Sequence, residues 1–134
     1  MSDIKLDPYL FFKGEAREAM EFYQSVFGGE LSMQSRAEVG MKDDQPDWLI
    51  HCRLEGGDAR LMASDTEQAS AEARKIELSL MGDDERRLRE IFAKLSAGGS
   101  VESPLKKEFW GDTFGKLTDR YGVIWMVNIN AQKS

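Results

Sequence analysis

The chain repeats itself. Gly28-Gly29 and Gly98-Gly99 lie 70 residues apart, and the same offset relates Leu6 to Ile76, Leu10 to Leu80, Glu15 to Glu85 and Phe22 to Phe92. Further on, Arg60-Leu61-Met62-Ala63 aligns with Ile124-Trp125-Met126-Val127 at an offset of 64. The drop of six corresponds to a shorter loop in the second half, where the charged loop 40–47 has no counterpart. Paired glycines recur easily by chance, but a whole order of elements does not. Each half reads strand-helix-strand-strand-strand. Two such units, each with one open sheet, can bury their faces together around a shared cavity. The halves are expected at about 1–66 and 74–134, joined by an exposed Ala-, Ser-, Glu- and Gln-rich connector at about 67–73.

Local patterns supply the elements. Leu6 to Phe12 reads as a strand, with Pro8 suited to its start or to an edge. Gly14 is a candidate helix cap, with Glu15 favourably placed in the first turn. Ala16, Ala19, Met20, Tyr23, Val26 and Phe27 then follow at helical spacing, and Gly28-Gly29 stops that helix. Strands are expected over 30–38, 48–54 and 59–64, the last two joined at Gly56-Gly57-Asp58. In the second half, 75–80 is a strand and Gly82-Asp83-Asp84-Glu85 opens a helix with acids in its first turn. Leu88, Ile91, Phe92 and Leu95 form that helix's buried stripe. The strand over 101–108 contains Pro104, which predicts an edge or a bulge. The chain closes on an aromatic-rich hairpin whose turn is Asp119-Arg120-Tyr121-Gly122, with Trp125 in its core.

Composition excludes several functions. With 134 residues, 41% of them apolar, the chain can bury a core. A formal charge of −6 without a basic stripe argues against nucleic acid. No apolar run approaches the roughly 20 residues of a membrane helix. The N-terminus has acids and no apolar h-region, so no secretory signal is read there and a cytoplasmic location is expected. Cys52 is the single cysteine, so no internal disulfide is possible.

Several blocks resemble a known family. They are Asp7-Pro8-Tyr9-Leu10-Phe11-Phe12, Glu18-Ala19-Met20-Glu21-Phe22-Tyr23, Val26-Phe27-Gly28-Gly29-Glu30-Leu31, Leu61-Met62-Ala63-Ser64-Asp65, and Phe109-Trp110-Gly111-Asp112 through Trp125. In this order they resemble the PhnB-like branch of the vicinal oxygen chelate superfamily, which unites glyoxalases, bleomycin-resistance proteins and extradiol dioxygenases. The resemblance implies an α+β fold in which two βαβββ modules pair into an open eight-stranded barrel, commonly as a homodimer. It also implies a divalent metal held by His and Glu side chains, two from each module. Those positions fall at Pro8, Met62, near Lys75, and Met126. A proline side chain offers no ligand, a lysine ammonium repels a cation, and a thioether prefers soft ions. No metal and no cofactor is therefore expected.

The cavity-lining candidates are His51, Met62, Glu77, Trp110 and Met126. His51, the only histidine, would share a strand face with Leu49 and Arg53. It is either a cavity acid, base or hydrogen-bonder, or a histidine satisfied by a neighbouring group. Glu77 lies between Ile76 and Leu78, which look helix-facing. It is either a cavity carboxylate able to pair with His51 or a salt-bridged edge residue. Met62 and Met126 would face one another, as an adaptable pocket wall or as core. Trp110, with Phe109, either covers a cavity mouth and stacks on a flat ligand or makes packing and dimer contacts; Trp48, Phe114 and Tyr121 share those alternatives. Cys52 and His51 are adjacent, so a strand sends them to opposite faces and no nucleophile pair forms. The acidic runs at 43–44 and 83–85 read as a solvated loop and a helix start. No glycine-rich cofactor loop suggests methyl transfer or nucleotide binding.

Three functions remain open. The first is a homodimeric protein binding a small molecule in the barrel cavity without metal. The second is a lyase, isomerase or dioxygenase of the same superfamily, using a relocated metal site or a metal-independent His51/Glu77 acid–base pair. The third is a structural or regulatory dimer with no ligand.

Overall fold

The structure is a computed structural model, which describes residues 5–69 and 76–131. Among these residues the order is β1 (Tyr9–Phe12), α1 (Ala16–Phe27), β2 (Glu30–Ser35), β3 (Leu49–Glu55), β4 (Leu61–Asp65), β5 (Leu78–Gly82), α2 (Glu85–Ser96), β6 (Ser100–Lys107), β7 (Thr113–Thr118) and β8 (Ile124–Ile129). The architecture is α+β: eight strands in two four-stranded mixed sheets, with two helices, among the described residues. The chain divides into two compact units, Met1–Ser70 and Ala71–Ser134.

In the first unit the sheet order is β1-β4-β3-β2, with β1 and β4 parallel and the other neighbours antiparallel. A parallel neighbour requires a long crossover, and α1, β2 and β3 together supply it. Helix α1 buries the predicted stripe Ala16, Ala19, Met20, Tyr23, Val26 and Phe27. It packs against β2, β3 and β4, where Leu49, Cys52, Leu54, Leu61 and Ala63 complete the core. The opposite face of the sheet carries no helix of this unit.

The second unit follows the same plan, β5-β8-β7-β6, with β5 and β8 parallel. Helix α2 buries Leu88, Ile91, Phe92 and Leu95, and Trp125, Val127 and Ile129 of β8 join the core. Strand β6 is an edge strand with register shifts on both sides of Ser103, as Pro104 foretells. The registers of the parallel pairs coincide residue by residue. Tyr9 opposes Met62 and Ser79 opposes Met126; Leu10 opposes Ala63 and Leu80 opposes Val127. The predicted offsets of 70 and 64 are therefore offsets of strand pairing. For β3 and β7 the offset is 63, since Arg53 opposes Met62 and Lys116 opposes Met126, so the second hairpin is one residue longer.

Several boundaries differ from the sequence reading. Strand β1 starts only after Pro8, and Leu6 is exposed. Strand β2 ends at Ser35 because Glu38 turns the chain: its Oε1 accepts from Ser35 N (2.8 Å) and its own N donates to Ser35 Oγ (3.1 Å). Gly14 is not the helix cap. Glu15 holds that position without a side-chain cap bond, and the capping is done from β4. Buried Asp65 accepts from Gly14 N and Ala16 N through Oδ1, and from Leu49 N through Oδ2, each at 2.9 Å. The loop after β2 is also less solvated than its acids suggest. Arg36, nearly fully buried, pairs with Asp43 (2.8 Å) and Glu67 (3.0 Å) and lies 5.1 Å from the ring centroid of Trp48. Helix α2, in contrast, is capped locally by Asp84, which accepts from Arg87 N.

The second glycine of each pair has a packing reason. A Cβ on Gly29 would meet Glu55 O at 2.5 Å, and one on Gly99 would run into the Thr118 carbonyl. In both units the chain leaving the helix crosses directly over the hairpin. Gly99→Ala is expected to destabilise the protein by about 2 kcal/mol through this overpacking, read from the midpoint of a urea melt. Asp65→Ala should cost about 3 kcal/mol, since it strands three donors, two of them in buried hydrogen bonds. The same melt checks it, and a loss below about 1 kcal/mol would show that those donors find other partners.

Candidate functional site

The candidate site is the helix-free face of the first sheet. Period-two alternation brings Tyr9 and Phe11 of β1, Met62 and Ser64 of β4, His51 and Arg53 of β3, and Ser32 and Gln34 of β2 to this face. Register fixes the rows: Tyr9, Met62, Arg53 and Ser32 run across the sheet, and His51 opposes Gln34. The face is aromatic at one side, where Tyr9 and Phe11 stack with centroids 5.0 Å apart, 38% and 58% exposed. The Tyr9 hydroxyl lies 3.2 Å from His51 Nδ1, a hydrogen bond, with the two rings 6.0 Å apart. With its proton on Nε2, the neutral imidazole accepts from the phenol and keeps one N–H to donate elsewhere. Arg53 Nη2 donates to the Met62 thioether (3.7 Å).

A bulge decides which residues face outward. Gln34 opposes His51 while the next residue, Ser35, opposes Leu49, so Ile50 is the extra residue on β3. Simple alternation would place Leu49 beside His51 and Arg53. The bulge instead returns Leu49 to the helix side, where it is fully buried, and leaves His51 with Arg53.

In the second unit the corresponding face carries Ser79, Met81, Phe114, Lys116, Met126 and Asn128. Glu77, just before β5, pairs with Lys116 Nζ at 2.9 Å, and Glu102 lies 3.8 Å from the same nitrogen. The hydrogen bond from Lys116 to Glu77 raises the lysine above its ordinary range. Ile76 is 79% exposed rather than helix-facing, because the alternation begins only with β5. Trp110 sits in the β6–β7 loop, half exposed, edge-on to Phe109 at 5.0 Å and 6.2 Å from Phe114. Below it Asp112 accepts from Asn128 Nδ2 (3.0 Å) and Ala131 N (2.7 Å), bonds that hold its carboxyl below the usual range.

The structure thus places His51 and Met62 on one sheet and Met126 on the other, with Glu77 just before β5. His51 and Glu77 each have a partner within their own unit, Tyr9 and Lys116. Met62 and Met126 hold equivalent register positions, each in its own sheet. Of the positions carried over for a metal, Lys75 lies outside the described residues. Pro8 uses its carbonyl to accept from Met62 N (3.0 Å). No three His, Cys, Asp or Glu side chains gather into an ion-holding group among the described residues. Trp48 packs under Arg36. Asp119 organises its turn, accepting from Tyr121 N, Val123 N and the buried Trp125 indole. Sequence reasoning missed Tyr9, Phe11 and Arg53. The run Tyr9-Leu10-Phe11-Phe12 is apolar throughout, so nothing in it says which alternate pair meets the helix.

The sequence pattern of the Glyoxalase/Bleomycin resistance protein/Dioxygenase superfamily matches residues 5–127. The chain belongs to that superfamily. It is 33% identical to protein YjdN of Escherichia coli K12 over 145 aligned positions, 96% of this chain and 97% of that protein. The crystal structure of protein PA1353 from Pseudomonas aeruginosa shares 37% identity and a TM-score of 0.86, covering 97% of this chain and all of that one. The PhnB protein from Bacillus cereus shares 26% identity and a TM-score of 0.77, over 95% of this chain and all of that one. These likenesses agree with a PhnB-like branch. No helix among the described residues is long and apolar enough to cross a membrane.

Cys52 lies across the sheet from this face, fully buried, and burial pushes its thiol up to about 11. Labelling by a disulfide reagent at pH 8 is therefore expected to be slower in the folded protein than in urea by about two orders of magnitude. Comparable rates would return Cys52 to the list of reactive groups.

Proposed function

We propose that the protein binds a small planar molecule on the helix-free face of its first sheet, without the divalent metal used by enzymes of its superfamily. The observation that carries this is the exposed Tyr9–Phe11 stack hydrogen-bonded to the single histidine. Large apolar rings left uncovered beside a few fixed polar groups have the composition of a ligand site. Pro8 and the thioethers of Met62 and Met126 do not fit a hard divalent ion, which favours binding through the organic groups. The same reading makes the protein a cytoplasmic homodimer, with Met62 on this face beside the Tyr9–Phe11 stack. Exposed Leu6, Ile76 and Phe109 supply apolar surface for association.

A second reading, acid–base catalysis by His51, draws on the Tyr9 hydrogen bond, which orients the imidazole. The tie between Glu77 and Lys116 weighs against Glu77 as its partner base.

The test is a titration of the full chain with a panel of neutral planar heteroaromatic compounds, followed by 1H–15N chemical shifts. Binders should perturb Tyr9, Phe11, His51 and Met62, and Phe11→Ala and His51→Ala should each weaken them about tenfold. The absence of any binder on this face, or binders that map only elsewhere, overturns the site. Stoichiometric Ni, Zn, Fe or Mn in protein purified without chelator overturns the metal-free reading.

A further inference from the structure

Strands β1, β4 and β3 pair in the same register as β5, β8 and β7, so the chemistry of these strands can be compared position by position. Arg53 in β3 and Lys116 in β7 are equivalent: each opposes the methionine of the central strand, Met62 or Met126. In the second unit the cation is neutralised, with Glu77 at 2.9 Å and Glu102 at 3.8 Å. In the first unit the residue equivalent to Glu77 is Asp7, and it pairs with Arg60 instead (2.8 Å). Arg53 is left exposed; among the described residues its guanidinium hydrogen-bonds a thioether, a weak acceptor, and forms no ion pair. Glu30 and Glu55 continue the same face one row further along, and neither forms an ion pair with Arg53. Two positions along β3 from Arg53, on the same side, stands His51, whose Nδ1 is occupied by Tyr9.

We propose, resting on the binding reading above, that this face recognises a planar aromatic carboxylate, with Arg53 holding the carboxylate and Tyr9 and Phe11 meeting the ring. The planar guanidinium matches a carboxylate in two parallel hydrogen bonds, which an ammonium cannot reproduce. The His51 ring and the side chains of Ser32 and Gln34 stand along the same rows as further polar groups. The sheet spacing of about 4.8 Å per strand sets Arg53 about 10 Å from Tyr9 across Met62, so acid and ring of one small molecule can span the two. The equivalent position in the second unit shows the other arrangement: a cation paired with its own unit's carboxylates.

The experiment compares 2-naphthoate with 2-naphthamide on the full wild-type chain, by chemical-shift titration at fixed ionic strength. The acid should bind at least about tenfold more tightly than the amide, with shifts centred on Arg53, His51, Tyr9 and Phe11. Arg53→Gln should remove most of that preference, and Arg53→Lys should restore only part of it. If the amide binds this face as well as the acid, and Arg53→Gln leaves naphthoate binding unchanged, the carboxylate assignment falls while the binding site stands. If neither compound nor the neutral panel perturbs the face, both readings fall. The wild-type comparison decides between acid and amide without any variant having to fold.

Discussion

The first unit hangs on one buried carboxylate. Asp65 ends β4 and reaches three backbone N–H groups on two other segments: Gly14 and Ala16 at the start of α1, and Leu49 at the start of β3. A helix N-terminus leaves donors unpaired, and the first residue of a strand beside a loop can do the same. One charged acceptor satisfies both and ties β4, α1 and β3 into a single corner. A charge-assisted hydrogen bond is stronger than a neutral one, and a buried carboxylate is tolerable only when it is saturated in this way. The second unit has Ile129 at the corresponding place and relies on the local cap Asp84. The same fold is therefore closed by a long-range bond in one copy and a short-range bond in the other.

That corner also positions the candidate site. Asp65 fixes Leu49 on the helix side, and two residues later the bulge at Ile50 releases His51 to the opposite side. Strand β1, parallel to β4, brings Tyr9 within hydrogen-bonding distance of His51 across an intervening strand. The loop that follows β2 is anchored by Arg36 between Asp43 and Glu67, and the hydrogen bond from Arg36 holds Glu67 below its ordinary range. Long side chains with opposite charge, pinned at the end of the sheet, keep this loop ordered beside β3.

The duplicated plan makes the divergence of the two faces interpretable. Backbone register is shared by β1, β4 and β3 with β5, β8 and β7, so a difference in side chains at equivalent positions of these strands is a difference in chemistry. Tyr9 stands where the second unit has Ser79, His51 where it has Phe114, and Arg53 where it has Lys116. One face keeps its cation in reserve beside an oriented imidazole. The other closes an internal salt bridge.

By itself, the sequence determined the repeated element order, the two helices with their buried stripes, the glycine stops, the edge strand at Pro104 and the turn at Asp119 to Gly122. These follow from periodicity, backbone sterics and short-range hydrogen bonds, all of which act within a few residues. The site was legible only in part. His51 and Met62 could be singled out, but the partners of His51 and Glu77, the outward turn of Tyr9 and Phe11, the bulge at Ile50 and the cap from Asp65 were decided by tertiary structure. Each of these depends on which strand lies beside which, and at what register. A one-residue change in pairing exchanges the two faces of a strand, and no pattern inside an all-apolar run such as Tyr9 to Phe12 can specify that choice.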